Sequence, residues 1–401
     1  MRRRCTGPLE PFAEGYASEL ASLGYTSESI PQQLRLVARL SAWLAEQGLG
    51  VNALTAERVN EFVADLRASG YRLHRSARAL EPLMAHLRRL GVLGLPAAAE
   101  REPGPVGVLL ARYEAYLLSQ RDLARSSLRI YLGAARAFLA DRLTPDGLAL
   151  EGLTAREVTT FVLRTCTARQ PGKAKTTATV LRSLLRFLYV DGVTPRSLTA
   201  AVPSPASWRL APLPRRLEPS QVKLLLAACD RRTRAGRRDY AMLLLLARLG
   251  LRAGEVARLE LDDIDWRSAE LTVRGKGDRR DRLPLPDDVG QAIVGYLQRG
   301  RPSTAQGRHV FLRLNAPHRG LSSEAVSEAV CTRALHAGLG PVRAHRLRHT
   351  AAAELVAAGA PLTEVGQLLR HRKALTTAIY AKVDRAALVT VARPWPVGGA
   401  A

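Results

Sequence analysis

Residues 344–350 read AHRLRHT and bring His345, Arg346, Arg348 and His349 within five positions. Side chains of these types could hold a metal, grip a phosphate or form the working part of an active site. The i, i+4 histidines have the spacing of a helical metal pair, but a zinc site needs further ligands. No H-E-x-x-H occurs, and Cys5, Cys166, Cys229 and Cys331 lie far from one another. Two arginines inside the span also raise the cost of a nearby dication, so no metal is expected. The i, i+3 pair His345 and Arg348 shares a helix face and points at a common spot. The strong helix former AAAELVAAG follows Thr350. His349 is expected behind that face as a structural residue, with Arg346 turned to a bound partner or to solvent.

Other positions carry chemistry by context. Arg252, in GLRAGEV, stands where a loop passes into a helix. Lys276 lies between Gly275 and Gly277 at the tip of an expected hairpin, among Arg274, Arg279, Arg280 and Arg282. Only six of the 60 basic residues are lysine, so a lysine here is not the default of composition. Lysine can give up a proton near neutral pH when its pKa is lowered, whereas arginine cannot, which suits a proton donor. His371 precedes Tyr380 by nine residues in VGQLLRHRKALTTAIYAKVD. Taken singly, each has an ordinary reading: a surface arginine, a turn lysine, a half-buried core tyrosine.

The elements that would position these groups follow from the rest of the chain. Its 401 residues exceed one typical core and point to two or three domains. A formal net charge of +24 and a pI near 11.0 favour a polyanionic partner, above all nucleic acid. The charge is spread along the chain, as a long footprint on a phosphate backbone requires. A ribosome-associated or membrane-surface protein is the competing reading. The longest apolar run, AMLLLLA at 241–247, is far short of the ~18 residues of a membrane span. The start MRRRCTGPLEPF lacks the apolar core of a signal peptide. Isolated cysteines fit a reducing cytoplasm.

An internal repeat organises the first half. LTAERVNEFV (54–63) matches LTAREVTTFV (153–162), LRLVARLSAWLAE (34–46) matches LRIYLGAARAFLAD (128–141), and LEPLMAHLRRLGV (80–92) matches LRSLLRFLYVDGV (181–193). Apolar residues at 80, 83, 84 and 87 align with 181, 184, 185 and 188 at helical spacing. Two similar four-helix modules are expected, with Thr55 and Thr154 as helix N-caps. Basic residues on the second module's second and last helices, Arg129, Arg136, Lys173, Lys175, Arg182 and Arg186, form a candidate DNA-backbone face. Clusters of Pro and Gly place linkers at 96–107 and within 193–219. LTV and RLPL, within 269–286, read as strands of a β-hairpin, and helices follow from about 287.

Arg252, Lys276, His345, Arg348, His371 and Tyr380, filled in order, resemble the tyrosine recombinase or phage integrase family over about 213–391. The motifs are GLRAGEV, RGKG, HRLRHT and an H-x8-Y ending in TTAIY. Arg370 departs from the pattern, since the family usually has Gly before this histidine. The resemblance implies a mainly α protein. Two tandem small helical, SAM-like modules (1–95, an additional one, and 104–195, the core-binding one) would precede a linker (196–216) and a mixed α+β catalytic domain (217–395) with a small β-hairpin. It implies that Tyr380 attacks a DNA phosphate to give a 3′-phosphotyrosine and that Arg252 and Arg348 grip the non-bridging oxygens. Lys276 would protonate the departing 5′-oxygen, His345 take or hold the tyrosine proton, and His371 support the phosphate. No metal, nucleotide or other cofactor is implied. The partners would be double-stranded DNA, three further copies in a tetramer, and accessory or sister recombinases, without a membrane. The setting would be the bacterial cytoplasm and nucleoid. The extra module suggests a mobile-element integrase. A type IB topoisomerase shares this chemistry, and a non-catalytic DNA-binding accessory protein would share the scaffold.

Overall fold

A computed structural model describes residues 5–71, 76–94, 104–121, 125–145, 147–167, 171–203, 216–275, 279–305, 307–370, 377 and 380. Its residues fall into two compact units, Pro96–Arg209 and the combination of Met1–Leu95 with Leu210–Ala401. The fold is mainly helical.

The first module holds α1 (Ala13–Ser22), α2 (Ser29–Glu46), α3 (Ala56–Ala68) and α4 (Glu81–Arg89). Its core is its own, built from Leu20, Leu36, Leu40, Phe62, Leu83 and Leu87 among others. Thr55 caps α3 by accepting from the Arg58 N–H, which satisfies one of the free donors of a helix start.

The second module repeats the plan with α5 (Pro105–Arg121), α6 (Arg125–Ala140), α7 (Ala155–Thr167) and α8 (Pro171–Val190). Two short strands, β1 (Leu143–Thr144) and β2 (Gly147–Leu148), pair between α6 and α7. Thr154 and Glu157 form a reciprocal cap at the start of α7, each accepting from the other's backbone N–H. Phe138 and Phe161 meet edge to face at 5.0 Å in the core. Packing runs on to Leu198 and Val202, inside the stretch expected as linker, because these two side chains complete the apolar core.

In the C-terminal part α9 (Pro219–Ala227), α10 (Arg234–Arg248) and α11 (Ala253–Arg258) lead into a three-stranded antiparallel sheet. Its strands are β3 (Ile264–Asp265), β4 (Glu270–Arg274) and β5 (Arg280–Pro284), in sequence order. The expected hairpin is β4–β5, paired from Glu270↔Pro284 to Arg274↔Arg280 and closed by the Gly275 N–H donating to Arg279 at 2.7 Å. The helices α12 (Asp287–Arg299), α13 (Ser323–His336), α14 (Ala344–Ala357) and α15 (Leu362–Leu368) follow. α14 packs on α10, α13 and α15. It buries Leu347, Arg348, Ala351, Ala352 and Ala353. The α1–α2 turn at Gly24 lies against Thr304 and His318 within the same unit.

Phe138 is fully buried. Phe138→Ala is therefore expected to destabilise the second module by about 3–5 kcal/mol, read as a lowered urea midpoint and faster proteolysis within that module.

Candidate active site

The site is built around α14. Arg348 is 2% exposed, and a buried cation needs acceptors all round it. Its Nη1 donates to the Gly250 carbonyl at 2.5 Å, and its Nη2 donates to the Leu369 carbonyl. Gly250 takes φ +57, where a Cβ would stand 2.6 Å from Leu369 Cδ2, so both conformation and space require glycine. Two residues on, Arg252 is the N-cap of α11. Its backbone N–H and its Nη1 donate to the two oxygens of Glu255, each at 2.7 Å. The Arg252 side chain is 46% exposed and the Glu255 side chain 2%. Burial alone would push the Glu255 carboxyl up, but Arg370 and then Arg252 hold it below its ordinary 4.5.

Arg370 has φ +53, the left-handed region in which a Cβ is disfavoured. That is the physical meaning of the glycine usual at this position. Here the arginine keeps the turn and sends its guanidinium inward to Glu255, Nη2 to Oε2 at 2.7 Å.

His345 and His349 lie one turn apart on α14, rings edge to face at 4.3 Å. Desolvation, then Arg348 and Arg252, lower the pKa of His345. His349 is pulled down to about 4 by burial, then by His345 and Arg348. Its Nδ1 is 2.7 Å from the Tyr380 hydroxyl. Tyr380 is 1% exposed and packs on Ala352, Val356, Val365 and Leu369. Burial pushes its pKa up to about 12, against the pull of Arg348. The pair is therefore a neutral phenol beside a neutral imidazole, with the phenol O–H as the natural donor to Nδ1.

The structure thus brings Arg252, His345, Arg348 and Tyr380 together. Lys276 and His371 lie outside the described residues. His349, expected as a structural residue behind the active face, lies against the tyrosine hydroxyl. Its one-turn spacing from His345 was the available signal, and in the sequence it resembled half of a metal pair. Arg346 donates to the Arg216 carbonyl at 3.3 Å, so it ties the chain entering this part to α14. In the second module Arg129, Arg136, Lys175 and Arg186 are exposed. Arg182 is only partly exposed and donates to the Val202 carbonyl at 2.8 Å, which closes the end of the module. Lys173 lies on α8, but its side chain is outside the described residues. Among the described residues no helix is long and apolar enough to cross a membrane.

An integrase/recombinase of Sinorhizobium fredii, y4rA, is 39% identical over 97% of this chain and 95% of its own length. The phage integrase family profile matches residues 215–386. The chain belongs to the phage integrase family of tyrosine recombinases. The tyrosine recombinase XerD of Listeria monocytogenes is 30% identical over 69% of this chain and 94% of its own. A lambda integrase tetramer bound to a Holliday junction shares the fold, with a TM-score of 0.54 at 20% identity over 81% of this chain and 90% of that one. The y4rA match covers nearly the whole chain, so it extends beyond the catalytic motifs into the helical first half. None of these relatives carries the name of a topoisomerase.

Glu255 gives a stability test. A carboxyl with a depressed folded pKa contributes stability above its ordinary value of 4.5 and loses it as pH falls through the folded value. The melting temperature of the native chain is expected to drop as pH falls below that range. In Glu255→Gln that part of the drop should be absent, and an unchanged pH profile would remove the assignment.

Proposed function

We propose that the chain is a site-specific DNA recombinase that cuts and rejoins strands through Tyr380. The observation that carries this reading is the convergence on α14 of a buried arginine, two neutral histidines and a tyrosine hydroxyl, beside Arg252. Arg252 and Arg348 take the non-bridging oxygens of a DNA phosphate, where charge develops in the transition state. The Tyr380 oxygen bonds to phosphorus as the bond to the 5′-oxygen breaks, and that oxygen takes its proton from Lys276. His349 holds the phenol in the resting position. His345, on the Arg348 face, takes or holds the proton once Tyr380 has turned to the phosphate. His371 hydrogen-bonds the phosphate. The phosphotyrosine keeps the energy of the broken linkage, so a second strand's 5′-hydroxyl can reverse the step without metal or nucleotide.

The chain divides for this purpose into 1–95, a second module that starts at 104 and runs on to Val202, and a catalytic part at 217–395. Arg129, Arg136, Lys175 and Arg186, on exposed helix faces, and Lys173 line the backbone of double-stranded DNA, with the additional first module lengthening the footprint. Strand exchange between two duplexes calls for four copies, the assembly named for the lambda integrase structure, with accessory or sister recombinases as further partners. The work is integration, excision or transposition of a mobile element in the bacterial cytoplasm, at the nucleoid.

A pool of nicked suicide duplexes with a randomised core tests the chemistry. The native chain is expected to form a detergent-resistant adduct that is absent in Tyr380→Phe. No adduct from any duplex would leave a non-catalytic DNA-binding protein. Lys276→Arg should keep DNA binding and slow adduct formation, and a 5′-thiol leaving group, which needs no acid, should restore it. Lack of that rescue would remove the proton-donor role.

Replacing Arg129, Arg136, Lys175 and Arg186 together with alanine should weaken binding to all sequences alike. The salt dependence of log K should fall by about 0.9 for each phosphate contact removed.

A further inference from the structure

Arg370 combines an unfavourable backbone with a well-placed side chain. At φ +53 a Cβ is disfavoured, and glycine would relieve the position at once. Yet its side chain is only 6% exposed and is held at both ends of the guanidinium. Nη1 donates to the Leu368 carbonyl at 2.9 Å and Nη2 to Glu255 Oε2 at 2.7 Å, while Nε is buried without a hydrogen-bond partner. This is a guanidinium led into the site rather than one lying over a surface.

Its partner carboxylate is shared. Glu255 Oε1 accepts from Arg252 Nη1, and Oε2 accepts from both the Arg252 backbone N–H and Arg370. One buried anion therefore stands between two guanidiniums of unequal freedom. The Arg252 side chain is 46% exposed, whereas that of Arg370 is enclosed. If Glu255 had Arg252 as its sole counterion, drawing Arg252 towards a phosphate would strand a buried carboxylate, a costly event. With Arg370 as a fixed second counterion, the Arg252 side chain can leave Oε1 while its backbone N–H stays on Oε2. The start of α11 then keeps its place as the guanidinium turns.

We propose that Arg370 is a positioning residue for DNA cleavage, holding the Glu255 carboxylate so that the Arg252 guanidinium is released to the scissile phosphate. This rests on the strand-cleavage reading above and adds to it a residue that touches neither DNA nor the reacting atoms. Arg348 belongs to the same arrangement, since its Nη2 acceptor is the carbonyl of Leu369, the residue before Arg370.

The test uses full-length chains and the nicked duplexes selected from the randomised pool with the native chain. Arg370→Gly suits the backbone and removes the guanidinium together with its bonds to Leu368 and Glu255. It is expected to form the Tyr380 adduct more than about tenfold more slowly, with the dissociation constant for the same duplex nearly unchanged. Arg370→Lys should recover part of the rate. In the Arg370→Gly chain, adding Glu255→Gln should also raise the rate, because a neutral amide needs no counterion and frees Arg252. A purely structural role predicts the reverse order, with Arg370→Gly as fast as the native chain and the double variant slower. Either of those results overturns the proposal while leaving the recombinase reading intact. A native chain that forms no adduct with any duplex overturns both.

Discussion

A cation with almost no exposed surface has to be surrounded by acceptors, and Arg348 imposes that demand on the C-terminal part of the chain. Desolvating a guanidinium costs several kcal/mol unless its donors are met. The carbonyls of Gly250 and Leu369 meet two of them. Both acceptors belong to turns with a left-handed residue, Gly250 itself and Arg370 just after Leu369. These are the same turns that deliver Arg252 and Arg370. The buried charge thus fixes the entry to α11 and the exit from α15, and with them the other arginines of the site.

The same crowding of positive charge sets the protonation states. Burial and neighbouring cations keep His345 and His349 neutral over the physiological range, while burial keeps Tyr380 a phenol. Arg348 is drawn down to about 10 by burial and then by Arg252, and it is still charged at neutral pH. Glu255 is the buried carboxylate in this group and offsets part of its charge. An arriving phosphate would supply the missing negative charge, and the histidines would then gain basicity as the net positive field falls. Electrostatic complementarity of this kind is worth most where water is excluded.

Much of this was legible in the sequence. The repeat predicts two helical modules, and each has four helices and a core of its own among the described residues. Thr55 and Thr154 cap their helices as expected, and the glycine-marked turn closes β4 on β5. Helical spacing placed His345 and Arg348 together. What spacing could not give were the contacts across long stretches of chain. Arg370 meets a carboxylate 115 positions away, and His349 meets a tyrosine 31 positions away. In the sequence the first is a departure from a family glycine and the second half of an incomplete metal pair. Leu198 and Val202 were misleading for a related reason. They stand in a Pro- and Ser-rich stretch, and only the packed core shows that two apolar side chains there are needed to close it.

One small contact at the back of α14 has a mechanical meaning. The backbone N–H of Leu217 donates to the Thr350 hydroxyl at 2.9 Å in a buried setting, one residue past His349. The chain therefore enters its C-terminal part already fastened to the helix that bears the site. With Arg346 donating to the Arg216 carbonyl as well, two successive residues of the entering chain are pinned to the helix that bears the site.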